Sequence, residues 1–357
     1  MSEKVLMKGN EAIAEAAISA GCLYFFGYPI TPQTEVAEDM ARRLPKVGGL
    51  CLQAESEVAA INMLMGASSA GTRAMTSSSS PGISLKQEGI STCAAAEVPC
   101  VIVNMMRGGP GLGNIQASQG DYFQACKGGG HGDYRCVVYA PSSIQETCDL
   151  MPKAFDTADT YRTPVIILAD GLIGQMMEPV ELKMNDNPTM PEKPWACQGW
   201  DPKGDRPRAV INSLYIETEI LDDLMTRLNA RYDMIREKEV MVEKYKTEGA
   251  EFVLCAYGTV ARVCKAAVRI LEENGIKCGL VRPITLWPFP TQDVHDVIAQ
   301  NTVKGALTVE ISNGQMVEDI RLAVNGEKPV DFMGKGGSII PTAEEIADRV
   351  MEIMRRA

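Results

Sequence analysis

Three side chains of contrasting chemistry close three separate apolar runs: the Thr31 hydroxyl, the Glu57 carboxylate and the Arg107 guanidinium. An alcohol and a guanidinium suit an anionic or carbonyl ligand, and a shielded carboxylate suits proton transfer. Thr31 stands in Gly27-Tyr-Pro-Ile-Thr-Pro32, where Gly27 permits a sharp exit from the run Cys22–Phe26. Pro29 and Pro32 fix the backbone on either side, so the hydroxyl rides on a stiff loop. A competing expectation is an ordinary turn in which Thr31 caps a helix beginning at Pro32. Glu57 lies in Gln53-Ala-Glu-Ser-Glu-Val-Ala-Ala60, in the first turn of an alanine-rich helix. There it serves the helix dipole equally well, as does Glu55. Arg107 follows Cys100–Met106 and precedes Gly108-Gly-Pro-Gly-Leu-Gly113, whose backbone a ligand can approach closely. An arginine that merely binds loop carbonyls fits the same pattern. Thr76-Ser-Ser-Ser-Ser-Pro-Gly82 adds a rim of hydroxyls, suited to an anion, to a cofactor ring or to capping the next helix.

Other chemistries find less support. The glycines after Arg107 give Gly109-x-Gly111-x-Gly113, and Asn114 stands where a dinucleotide fingerprint needs its last glycine. No Walker-type phosphate loop occurs. His131, beside Gly128-Gly-Gly130, and His295, in a helical pattern, are the only histidines. Their separation disfavours a Ser/His/Asp triad or a histidine metal site, and His295 reads as structural. Ala169-Asp170-Gly171 shares the opening of a metal–pyrophosphate motif but lacks its later asparagine, so Asp170 reads as a turn residue. The nearest of the 11 cysteines, Cys93 and Cys100, are seven positions apart, and no Cys-x-x-Cys exists. Iron–sulfur and zinc sites use tighter pairs, so reduced, buried thiols are expected.

The elements that carry these residues alternate. Strands are predicted at Cys22–Phe26, Gly49–Leu52, Arg73–Thr76, Cys100–Met106, Cys136–Ala140 and Pro164–Ala169, with helices between them, including Glu55–Ser69. That pattern predicts an α/β fold, a mainly parallel sheet covered by helices, over residues 1–182. Ligands of such sheets bind beyond the carboxyl ends of the strands, where Thr31, Glu57 and Arg107 fall. Residues 183–248 read as a linker, rich in Pro, Asn, Asp and Lys to Pro207, followed by a long connecting helix from Leu214 to Thr247. A smaller α/β domain is expected over 249–357, with strands Phe252–Ala256, Lys277–Val281 and Ala306–Val309 and helices Thr259–Asn274 and Thr291–Gln300.

Bulk composition narrows the function classes. The chain has 357 residues, 45% hydrophobic and 23% charged, with a formal net charge of −11. That sign disfavours nucleic-acid binding. No apolar run approaches membrane-spanning length, and the acidic start (Glu3, Glu11, Glu15) is unlike a signal peptide, so a cytoplasmic protein is expected.

Taken in order, five segments resemble the α-type subunit of the 2-oxoacid:ferredoxin oxidoreductases, thiamine-diphosphate enzymes of anaerobic metabolism. They are Gly27-Tyr-Pro-Ile-Thr-Pro-Gln-Thr-Glu35, Glu55-Ser-Glu-Val-Ala-Ala60, Thr76-Ser-Ser-Ser-Ser-Pro-Gly82, Arg107-Gly-Gly and Arg282-Pro-Ile-Thr-Leu-Trp-Pro-Phe-Pro290. Met7-Lys-Gly-Asn10 and Lys127-Gly-Gly-Gly-His-Gly-Asp133 look most like the branched-chain (2-oxoisovalerate, or 3-methyl-2-oxobutanoate) members. The resemblance implies a pyrimidine-binding domain and a transketolase C-terminal-like domain. It implies that Glu57 bonds the aminopyrimidine and promotes its imino tautomer, with Pro29 and Ile30 also on the cofactor. It implies that Thr31 and Arg107 contact the 2-oxoacid. The implied reaction is oxidative decarboxylation with coenzyme A to acyl-CoA and CO₂, electrons passing to ferredoxin. The implied partners are a β-type subunit holding the diphosphate and Mg²⁺, a γ-type subunit and a ferredoxin-like subunit carrying [4Fe-4S]. Pyruvate or 2-oxoglutarate as substrate, a noncatalytic scaffold, and a nucleotide-dependent dehydrogenase are the competing expectations.

Overall fold

A computed structural model describes residues 4–183, 188 and 190–356; Glu3, and positions 184–187 and 189 of the expected linker, lie outside the described residues. Its larger sheet has seven strands in the order Thr285–Trp287, Val137–Tyr139, Pro164–Asp170, Cys100–Met106, Ala74–Ser78, Tyr24–Gly27 and Leu50–Gln53. All neighbours run parallel except Thr285–Trp287, which pairs antiparallel with Val137–Tyr139. Every residue of Cys100–Met106 and Pro164–Asp170 is buried, as strands covered on both faces require. The expected α/β architecture is therefore present.

A second sheet of five strands runs Val330–Gly334, Ala306–Glu310, Phe252–Cys255, Cys278–Pro283 and Val242–Tyr245. Only the last is antiparallel to its neighbour. A third pair, Val5–Lys8 with Met177–Val180, fixes the start of the chain against the end of the first domain's core.

Three expectations change at this level. The connecting helix spans Thr218–Lys238 rather than Leu214 to Thr247, and Val242–Tyr245 leaves it to become a strand. Its charged residues, Glu243 and Lys244, suit a helix surface, but Glu243 is held by Arg282 on the neighbouring strand and by Lys265 on the helix Gly258–Glu273. Second, Thr285–Trp287 lies in the first sheet although it follows a strand of the second. The helix expected at Pro32 begins at Thr34.

Gln119, Asp170 and Arg282 are among the residues whose polar contacts join the two sheets' surroundings. Gln119 Nε2 donates to Tyr257 O at 2.9 Å, and its Oε1 accepts from Ile311 N at 3.0 Å. Thr259 N donates to Asp170 Oδ2 at 3.3 Å. Arg282, buried on its strand, donates to Glu146 at 2.7 and 3.0 Å and to Glu243 at 2.6 Å. Removing the shared cation leaves Glu243 to Lys265 alone and Glu146 to the Ser142 N–H and hydroxyl, with no cation. Arg282→Met is expected to cost about 2 to 3 kcal/mol of unfolding free energy, less than a fully dry pair because both carboxylates keep some water. Denaturant titration of the two proteins reads this directly; an unchanged midpoint contradicts it.

Candidate functional site

The carboxyl ends of four adjacent parallel strands, Leu50–Gln53, Tyr24–Gly27, Ala74–Ser78 and Cys100–Met106, form one rim. Each delivers one of the segments singled out by sequence. Arg107 extends the last strand and bridges to Ala117. Its Nη1 donates to Thr31 O at 2.9 Å and its Nη2 to Leu112 O at 3.0 Å, while Nε is buried without a partner among the described residues. Binding of loop carbonyls is thus part of what Arg107 does, and one of those carbonyls is that of Thr31. The two residues are in contact.

Thr31 itself is exposed, and it caps nothing: Gln33 occupies the N-cap of the helix Thr34–Arg43. Gln33 is fully buried, and its Oε1 accepts from the Ser77 hydroxyl. That bond ties the Thr31 loop to the serine run. Pro29 is exposed and Ile30 half-buried on the same loop.

Glu57 opens the helix Glu57–Ser69, where Ser56 is the cap and accepts from Ala59 N at 3.1 Å. With that task filled by Ser56, the Glu57 side chain turns inward and is 6% exposed. Its carboxylate packs against Gly82: a Cβ there would lie 2.5 Å from Glu57 Oε1 and 2.1 Å from Ser78 Oγ. Only a glycine leaves that space open. The Ser78 and Ser79 hydroxyls are buried with no partner among the described residues.

Capping does not explain the serine run. Ser79 occupies the cap position of the helix Ser80–Ala95 yet makes no side-chain cap bond. Ser80 Oγ accepts from Arg107 N at 3.0 Å and donates to Asp121 Oδ2 at 2.6 Å. Asn104 Nδ2 also donates to Asp121, at 2.9 Å. Burial raises the Asp121 pKa, opposed by the bonds from Ser80 and Asn104. The first turn of one helix therefore faces Glu57 through Gly82 and holds Arg107 through Ser80.

Sequence reading missed Asp121, Asn104 and Lys86. The signal for Lys86 was a lysine on a helix of small and apolar residues; the side chain is 0% exposed. Its Nζ donates to Thr76 Oγ1 at 3.1 Å and lies 3.5 Å from the Glu57 backbone oxygen. Burial pushes its pKa down to about 8, against the opposing field of Glu57.

The remaining candidates fall elsewhere. Asp170 is the turn residue expected, capping Leu172 N and Ile173 N at 3.0 and 3.3 Å; burial raises its pKa. His131 is exposed, and only its backbone oxygen is engaged, by Ser91. His295 lies in the helix Thr291–Ile298 and pairs with Glu327 at 3.2 Å, which raises its pKa. The described cysteines are all free and, apart from Cys51 and Cys197, buried. Among the described residues no cluster of His, Cys, Asp and Glu could hold a metal ion, and no helix is long and apolar enough to cross a membrane.

Known proteins match this chain along its length. The family described as pyruvate flavodoxin/ferredoxin oxidoreductase, thiamine diphosphate-binding, matches residues 15–244. Core domain II of pyruvate:ferredoxin oxidoreductase matches residues 250–346. The ketoisovalerate oxidoreductase subunit VorB of Methanothermobacter marburgensis is 46% identical, covering 98% of this chain and 97% of the relative. The 2-oxoglutarate synthase subunit KorA of Methanocaldococcus jannaschii is 38% identical, covering 97% and 98%. A solved 2-oxoglutarate:ferredoxin oxidoreductase from Magnetococcus marinus, with 2-oxoglutarate, coenzyme A and succinyl-CoA bound, superposes with a TM-score of 0.85 at 27% identity. The match covers 98% of this chain and 65% of that longer one.

Proposed function

This chain belongs to the 2-oxoacid:ferredoxin oxidoreductases as a thiamine-diphosphate-binding α-type subunit, and from that premise we propose that Glu57, Thr31 and Arg107 serve the oxidative decarboxylation of a branched-chain 2-oxoacid. The observation that carries the proposal is the shared rim: one helix turn, Ser80 to Gly82, touches Glu57 on one side and Arg107 on the other. Coenzyme A enters as co-substrate, acyl-CoA and CO₂ leave, and electrons pass to ferredoxin.

The interior of the rim fits an aminopyrimidine. A buried carboxylate, two serine hydroxyls orphaned among the described residues and a space that a Cβ at Gly82 would fill suit a flat ring bearing donors and acceptors. Bound thiamine diphosphate supplies the nucleophilic carbon that attacks the 2-oxo group and the electron sink that decarboxylation needs. Glu57 holds a proton at the ring nitrogen, and its shielded position keeps that proton from exchanging freely with water. Pro29 and Ile30, on the Thr31 loop at the same rim, would help hold that ring. Arg107, its guanidinium already fixed by two carbonyls, presents positive charge to the substrate carboxylate, and the Thr31 hydroxyl donates to the carboxylate or carbonyl.

The branched-chain acid is favoured by the greater identity to VorB than to KorA; 2-oxoglutarate is the runner-up. As a family member the chain works within a multi-subunit complex. We assign the diphosphate and Mg²⁺ to a β-type partner and [4Fe-4S] clusters to a ferredoxin-like partner, with a γ-type subunit completing the assembly in the cytoplasm. Exposed apolar side chains beside the rim, Tyr28, Leu52, Val58, Leu85, Leu112 and Ile115, suit burial against such a partner. The edge strand Leu50–Gln53 is open to it as well.

In the reconstituted complex, Glu57→Gln is expected to leave assembly intact and lower turnover by about 100-fold or more, the usual contribution of acid–base catalysis. Turnover near that of the wild type would remove Glu57 from the chemistry. Arg107→Ala is expected to raise the KM for the 2-oxoacid by about 10- to 100-fold, the range for a lost charged hydrogen bond. A change confined to the coenzyme A dependence would overturn its assignment.

A further inference from the structure

We propose that Lys86 is the counter-charge of Glu57, an electrostatic positioning residue that balances the carboxylate once it has passed its proton to a bound ring nitrogen. The inference rests on the role given to Glu57 above. Lys86 is a fully buried lysine without a salt bridge among the described residues, on the helix whose first turn faces the Glu57 carboxylate. Its ammonium has three protons to place and finds one normal acceptor, Thr76 Oγ1, with the Glu57 backbone oxygen at a marginal 3.5 Å. Thr76 in turn donates to Phe26 O at 2.6 Å, so its hydroxyl has an accepting lone pair turned to the lysine.

A buried ammonium this poorly solvated is costly, and a plain core position takes leucine or methionine more cheaply. Among the described residues the one charged group whose field reaches Lys86 is Glu57, on the facing helix; the strand Ala74–Ser78 beneath offers only the Thr76 hydroxyl. The same holds in reverse. Among the described residues Glu57 pairs with no cation, so the Lys86 ammonium, whose field it shares, is what offsets a negative carboxylate at this buried position. When Lys86 loses its proton, that offset goes, and proton delivery by Glu57 becomes unfavourable.

The sign of the stability effect follows from burial. The folded chain gives up the Lys86 proton at about pH 8, whereas the unfolded chain keeps it to the ordinary lysine range. Across that window the unfolded state binds more protons, so the folded state gains stability as pH rises.

The test uses the assembled complex and Lys86→Met, close in shape and uncharged. In its cofactor-free form, the wild type is expected to gain stability over Lys86→Met as pH rises above about 8. In a Glu57→Gln background that window opens at lower pH, because the carboxylate that retains the lysine proton is gone. With cofactor, wild-type turnover falls through the same window. Lys86→Met shows turnover reduced at least tenfold at all pH values, without that fall and with the 2-oxoacid KM unchanged. Lys86→Arg keeps the charge and is expected to restore turnover without the fall near pH 8; it decides the matter should Lys86→Met not assemble. Wild-type turnover in Lys86→Met, or a fall near pH 8 that persists in Lys86→Arg, overturns the inference. Normal turnover in Glu57→Gln instead sinks the proposed function itself.

Discussion

Ser80 Oγ accepts the backbone N–H of Arg107 at 3.0 Å and gives its own proton to Asp121 at 2.6 Å. Ser80 begins the helix whose first turn brings Gly82 against Glu57. The acid–base half of the site and the anion-binding half therefore share a single helical turn. Glu57 and Arg107 are 50 positions apart in the sequence, yet neither can shift far without moving the other. The burial of Asp121 strengthens this link, since an acceptor in a low-dielectric surround leaves its donors few alternatives.

The second domain reaches the same turn indirectly. Gln119 is locked to Tyr257 and Ile311, and Gln315 Nε2 donates to Gly120 O at 2.7 Å. These contacts clamp the segment just before Asp121, so the smaller sheet steadies the residue that steadies Ser80. Glu310 supports the clamp from beneath, with a buried carboxylate that accepts from Gln315, Met316 and Val317 backbone N–H groups. Burial raises its pKa, opposed by those bonds.

Local signals were legible where the chain obeys local rules. Cys100–Met106 occupies the span its apolar run predicted, and Pro164–Asp170 exceeds its own by one residue. The stiff loop around Thr31 and the glycines beyond Arg107 lie at strand ends as expected. What stayed hidden depends on distant partners. Thr285–Trp287 joins the first sheet because Val137–Tyr139 offers it an edge, which nothing nearby in the sequence announces. Val242–Tyr245 carries charges typical of a helix surface, and only distant partners explain them: Arg282 and Lys265 for Glu243, Asp293 for Lys244. Lys86 has a residue type that usually marks a solvated face, so its burial becomes visible only once Glu57 and Thr76 surround it.

The measurement that bears most directly on this account is an experimental structure of the assembled complex with thiamine diphosphate bound. The expected result places a pyrimidine nitrogen within about 2.6 to 3.2 Å of the Glu57 carboxylate, with the ring packed against Gly82. A ring seated away from Glu57, or a cofactor held wholly by another subunit, would contradict it.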